Sequence, residues 1–228
     1  MNLKYIGSGT SSYPPPAAPI VFVVDGDESI RNALLAPLRS AGWEPRLAAS
    51  AEEFLAQQRM MTPSCLLLEL ELPGASGLEL QKLLAARSEM PIVFMSSRVD
   101  IQATVQAMKA GAFEFLIKPL VPEALLDAIH GALERSEAAL QELTQISALQ
   151  ERYESLSRRE REVMGLLVRG RLNKQVGGEL GISEITVKAH RGNMMRKMHA
   201  SSFAELVTMA ASLPGENYTR FSARSAGR

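Results

Sequence analysis

Two patterns of apolar residues divide this chain. From Ile20 to about residue 122, short continuous apolar runs alternate with segments whose apolar side chains recur every three or four residues. Ile20 to Val24 is an unbroken apolar run rich in β-branched residues, the signature of a parallel strand buried on both faces. A weaker run at Arg46 to Ala48, and runs at Cys65 to Leu70, Ile92 to Met95 and Phe115 to Ile117, predict four more strands. Glu69 interrupts the third. Between them, Ser29 to Ser40, Ala51 to Arg59 (capped by Ser50), Gly77 to Arg87 and Ile101 to Ala110 carry the helical period, and a fifth helix opens near Pro122. Strand and helix alternating through short connections predict a doubly wound parallel sheet.

Beyond Pro122 only the helical spacing remains. Glu123 to Glu154 contains no proline and one glycine, with Leu126, Ile129, Leu133, Leu140, Leu143 and Leu149 among polar residues. This predicts one long helix that leaves the first domain as a linker, with Ser136 and Ser147 as polar interruptions of its apolar seam. From Leu156 to Leu213 the pattern gives short helices. Ser157 and Glu160 form a capping box, and Gly170 and Gly181 mark breaks. The expected organisation is a flexible leader at 1–18, an α/β domain at 19–122, a linker helix at 123–154, an all-α four-helix domain at 155–213 and a flexible tail at 214–228.

Charge sharpens this division. The net charge of the 228 residues is zero, yet Ile20 to Ser155 holds eleven Lys/Arg against nineteen Asp/Glu, whereas Leu156 to Ala200 holds ten Lys/Arg against four Glu. An acidic unit followed by a basic one suits a regulatory module attached to a nucleic-acid binder. No apolar run approaches the roughly 18 residues of a membrane span. Met1 to Ala18 lacks the apolar core of a signal peptide. The single cysteine, Cys65, fits a reducing cytoplasm, where we expect it to be a small buried hydrophobe.

The basic segment carries L-S-R-R-E-R-E-V at 156–163, N-K-Q-V at 173–176 and L-G-I-S-E-I-T-V-K-A-H-R-G-N-M-M-R-K-M at 180–198. It resembles the LuxR-type helix-turn-helix of the NarL/FixJ response-regulator family. The resemblance implies that the second helix of the pair enters the major groove of double-stranded DNA. Lys188 is then the first candidate for a base edge, with Ala189 and Gly192 leaving room for close approach. Asn173, Lys174, Thr186, Arg191 and Arg196 are candidates for phosphate contacts. Ile185, Met194 and Met198 are expected to bury one face, with Val187 holding the preceding helix. Gly177-Gly178 stands where helix formers are usual and is expected to weaken that helix by on the order of 1 kcal/mol per glycine. The resemblance further implies a homodimer on an inverted repeat, with residues 202–211 as a candidate contact.

L-P-G-A-S-G at 72–77 and Lys118-Pro119 anchor a second resemblance, of Ile20 to Lys118, to the flavodoxin-like receiver domain. Receivers hold Mg²⁺ with paired acids after the first strand and accept a phosphoryl group on an Asp at the end of the third. By alignment Ser96 is the switch hydroxyl, Phe115 the switch aromatic and Lys118 the phosphate-binding lysine. The acid pair becomes Asp25 and Gly26, with Asp27 one residue late, and Glu69 replaces the acceptor Asp. Mg²⁺ demands near-octahedral oxygen geometry, so Asp25, Asp27 and Glu69 make a weak metal site at best. The extra methylene of Glu69 displaces the nucleophile, a kind of misplacement that costs about 10²-fold. It also carries the carboxylate towards Lys118, where an ion pair would substitute for phosphate.

The leading expectation is therefore a DNA-binding transcriptional regulator, not an enzyme, working without aspartyl phosphorylation and without a cofactor. Two alternatives stay open: a conventional regulator phosphorylated by a histidine kinase, and a receiver switched by a ligand or a protein partner. RNA polymerase is a further candidate partner; a membrane is not.

Overall fold

The computed structural model describes residues 17–98 and 100–213. The expected tail, and all but two residues of the expected leader, lie outside the described residues. The described residues divide into two compact units, with the boundary between residues 140 and 141.

Five strands of the first unit, β1 (Ile20–Val24), β2 (Glu44–Ala48), β3 (Ser64–Glu69), β4 (Ile92–Ser96) and β5 (Glu114–Ile117), alternate with helices α1 (Glu28–Ser40), α2 (Ala51–Leu55), α3 (Gly77–Leu83) and α4 (Ile101–Lys109). All neighbours pair parallel in the order β2-β1-β3-β4-β5. The predicted doubly wound sheet is present. Its period of two sorts the apolar runs into two cores, because successive side chains leave opposite faces. Ile20, Phe22, Val24, Leu66, Leu68, Ile92 and Phe94 pack on one face with Phe54, Leu80 and Ala107. Val21, Val23, Cys65, Leu67, Val93 and Met95 pack on the other with Leu34, Leu38, Leu125 and Ile129. Burial pushes the Cys65 thiol pKa up, which keeps it protonated and inert.

Two helices are shorter than expected. α2 ends at Leu55 instead of Arg59, since the Gln57 amide turns back to the Leu47 carbonyl (3.1 Å) and Arg59 pairs with Glu89. α3 stops at Leu83, where Leu84 turns inward and is buried.

Helix α5 (Pro122–Glu154) runs unbroken for 33 residues, as its uninterrupted pattern predicts. Ser136 is fully buried: its hydroxyl accepts the Ser64 N–H (2.9 Å) and donates to the Glu89 carbonyl. It is thus a satisfied polar anchor between α5 and the sheet, while Ser147 is exposed.

In the second unit α6 (Arg158–Leu167), α7 (Asn173–Leu180), α8 (Glu184–Met198) and α9 (Phe203–Ser212) surround a core that includes Leu156, Val163, Met164, Val176, Val187, Met194, Met198 and Leu206. The Ser157–Glu160 capping box closes α6 as predicted. Lys197 reaches Glu160 (2.7 Å) and ties α8 to that cap. Burial opposes ionisation of Glu160, but Lys197 and the Ser157 groups outweigh it and hold the pKa below the ordinary value.

Candidate functional sites: an acid–lysine cleft and a basic helix face

The carboxyl ends of the strands gather the predicted pocket residues into one open cleft, lined by Asp25, Gly26, Asp27, Glu69, Ser96 and Lys118 among others. Asp25 follows β1, Glu69 ends β3, Ser96 ends β4 and Lys118 follows β5, preceding a cis proline. Open parallel sheets present ligand sites at this edge.

Lys118 sits between the two carboxylates. Its Nζ donates to Asp25 Oδ2 at 2.6 Å and to Glu69 Oε2. The remaining oxygens are also taken: Asp25 Oδ1 accepts the Asp27 N–H and Glu69 Oε1 accepts the Leu70 N–H, each at 2.9 Å. Burial alone would depress the Lys118 pKa, but the bonds and charges of Asp25 and Glu69 outweigh it and hold the pKa above its ordinary value. The ammonium therefore stays charged across the neutral range.

Asp27 belongs elsewhere. Its Oδ1 accepts the Ser29 N–H (2.8 Å) and the Ser29 hydroxyl (2.6 Å), forming the N-cap of α1. The Ser29 bonds hold its pKa low. Gly26 offers no side chain, and a Cβ there would stand 2.9 Å from Pro73 Cγ. A Mg²⁺ ion, which the receiver resemblance implies, does not fit these residues as they stand. The acids expected to ligate it are committed to Lys118, to backbone amides and to a helix cap, and no group of three candidate ligands occurs among the described residues.

Ser96 Oγ bonds the Arg98 backbone, accepting its N–H and donating to its carbonyl. Phe115 stacks on Phe94 with ring centroids 6.0 Å apart. Sequence reasoning missed Arg31, whose guanidinium donates to the Asp25 carbonyl at 2.6 Å. Nothing in the one-dimensional pattern separates it from a solvated arginine.

On α8, Lys188, Ala189, Gly192 and Arg196 share one exposed face. Lys188 makes only a solvent-exposed pair with Glu184 (3.2 Å), which is worth about 0–1 kcal/mol and is easily surrendered to another anion. Thr186 and Arg191 flank that face. The Thr186 hydroxyl bonds Ser183 Oγ (2.8 Å), and the Arg191 guanidinium lies 4.9 Å from the Phe203 ring centroid. Asn173 and Lys174 open α7.

Two expectations are corrected here. Ile185 is not in the core: it is 79% exposed and faces outward with Lys188 and Ala189. Val187, Met194 and Met198 form the buried face, and nine residues from Ile185 to Met194 is roughly two and a half turns, the opposite side of the helix. Gly177 is not a simple weakness either. A Cβ there would lie 2.7 Å from the Ile182 carbonyl oxygen, because the turn folds back and the Ile182 N–H bonds the Gly177 carbonyl (3.0 Å).

A parallel α/β unit with an acid–lysine cleft, followed by helices that expose a basic recognition face, defines the class of signal-receiving regulators that bind DNA. The chain belongs to the response regulators that combine a receiver domain with a LuxR-type DNA-binding domain: residues 21–130 match the response regulator receiver domain, and residues 154–210 match the bacterial regulatory proteins of the luxR family. It is 44% identical over 195 residues to Nodulation protein W of Bradyrhizobium diazoefficiens, covering 85% of this chain and 86% of that one. It is 40% identical over 211 residues to the response regulator protein TmoT of Ectopseudomonas mendocina, covering 92% and 96%. The solved structure of response regulator StyR superposes with a TM-score of 0.74 at 46% identity, covering 86% of this chain and 99% of that one. No helix among the described residues is long and apolar enough to cross a membrane.

Proposed function

We propose that this response regulator controls transcription with a receiver that holds its working arrangement without aspartyl phosphorylation. The observation that carries this reading is Lys118 Nζ clasped between Asp25 and Glu69, with every oxygen of both carboxylates already engaged. In a phosphorylated receiver the lysine bonds a transferred oxygen; here the longer Glu69 side chain brings its own oxygen to the lysine. The nucleophile is neutralised, and the charge partner that phosphate would supply is built in.

Intact mass after incubation of the full chain with Mg²⁺ and acetyl phosphate tests this. The natural protein is expected to stay unmodified and a Glu69→Asp, Gly26→Asp double variant to gain a phosphoryl group, with Pro73 shifting to admit the new side chain. Phosphorylation of the natural protein would overturn the reading and favour a histidine kinase as the upstream partner. Without phosphodonor, Glu69→Ala should weaken both dimerisation and DNA binding; unchanged values for both would refute the built-in partner.

The dimer in this reading forms through the receiver. Ile101, Val105 and Met108 line one face of α4 with 74%, 46% and 42% exposure, and Ile117 on β5 adds 50%. Large apolar side chains grouped on one helix face suit a partner surface, and a second copy offers a self-complementary one. Val105→Glu with Ile101→Glu is expected to give a folded monomer in sedimentation velocity, with DNA affinity lower by about 10²-fold through lost avidity.

A further inference from the structure

The outer face of α8 carries one residue that nothing in its own unit accounts for. Ile185 stands in the first turn, 79% exposed, whereas the same helix buries Val187, Met194 and Met198 completely. Along the helix, Ile185, Ala189 and Gly192 follow at i, i+4 and i+7 and so share one stripe. Lys188 borders it, and Arg196, at i+11, closes its far end. A Cβ added at Gly192 would meet nothing within 4 Å, so the fold does not demand a glycine there, although glycine weakens a helix interior relative to alanine. A narrow apolar ridge that falls away to a small residue, edged by cations, is the negative of a groove with phosphate walls and an apolar spot on its floor. The major groove displays such a spot in the thymine 5-methyl group.

We propose that Ile185 is a specificity-determining residue that reads thymine methyl groups in the operator. This rests on the reading that α8 enters duplex DNA. Arg196 supplies charge that any sequence satisfies through its phosphates, and Lys188 a cation that a guanine edge or a phosphate can take; Ile185 supplies discrimination that only a methyl-bearing base satisfies.

The test uses the full chain and a duplex pool with a randomised central segment. After selection, the enriched duplex is resynthesised with each thymine replaced in turn by deoxyuracil, which removes only the methyl. Natural protein is expected to lose about 3- to 5-fold in affinity at one or two positions, the worth of one buried methyl. Ile185→Ala should lose the thymine–uracil difference at those positions, keep its affinity for random duplex and keep its salt dependence. Ile185→Val should restore part of the difference. A thymine–uracil ratio unchanged by Ile185→Ala, or a selected site indifferent to every methyl, overturns the assignment while leaving DNA binding intact. Failure of the natural protein to bind any duplex in a salt-dependent way removes the reading of α8 and this assignment with it.

Discussion

Replacing Lys118 by methionine is expected to destabilise the receiver unit by about 3–5 kcal/mol, the range seen when one partner of a buried ionic group is removed. The Lys118, Asp25 and Glu69 side chains are only 11%, 3% and 10% exposed. Methionine matches the length of the lysine but leaves two carboxylates facing each other with no cation between them. Trp43 is the only tryptophan and packs against the sheet core that contains Val21, Leu38 and Met95, so its fluorescence in urea reports this unit within the full chain. Adding Glu69→Gln to Lys118→Met removes one of the stranded charges and should recover roughly half of the loss. The pH dependence has a definite sign. Lys118 has a folded pKa above its ordinary 10.5, so the stability it contributes is fully present below that value and fades only as pH rises through the folded pKa. The gap between natural protein and variant should therefore be flat through the neutral range and close in alkali. A loss below about 0.5 kcal/mol, within ordinary surface-substitution scatter, would mean that the clasp is energetically neutral and that the receiver does not depend on it.

How much of this was legible in the sequence depends on which residues share a local pattern. The strands were, because burial on both faces leaves Val21 to Val24 and Cys65 to Leu68 without polar interruption. Helix α5 was, because nothing between Pro122 and Glu154 breaks the period. The approach of Glu69 to Lys118 was also legible, since two aligned motifs place them at the same carboxyl edge of the sheet, at the ends of β3 and β5 with β4 between them, and one methylene sets the reach. The second carboxylate on Lys118 was not anticipated. Asp25 looked like a metal ligand, and only the geometry shows that its free oxygen turns to the lysine. Asp27 looked like a substitute for Gly26, yet the adjacent Ser29 and the start of α1 claim it. Ile185 reads as a core residue by its chemical type, whereas its helical phase sets it opposite Met194. Partners far apart in sequence, such as Ser136 with Ser64 and Glu89, leave no local trace, and Ser136 looked like a flaw in a seam for that reason.

The adjacent glycines of α7 give the second large effect and the cleanest contrast. In sequence Gly177 and Gly178 are indistinguishable, and propensity alone predicts that alanine at either would strengthen the helix. The structure separates them. Gly177 is buried under the turn into α8, where Gly181 adopts a left-handed φ of 66° and brings the Ile182 carbonyl within 2.7 Å of any Cβ at 177. That atom is backbone fixed by the turn, so it yields only if α7 and α8 separate. Gly177→Ala is therefore expected to destabilise the DNA-binding unit by about 1–3 kcal/mol, the usual cost of overpacking. Gly178 is exposed with open space around its Cβ position, and Gly178→Ala should stabilise by about 0.5–1 kcal/mol through helix propensity. Far-UV circular dichroism in urea, read against Trp43 fluorescence of the same samples, isolates the helical unit from the sheet. The Gly177→Ala variant should also bind duplex DNA more weakly, because the turn that fails is the one that orients α8 for the groove. Equal stabilisation by both substitutions would mean that the turn relaxes without cost, and that the angle between α7 and α8 is not fixed by the close approach at Gly177.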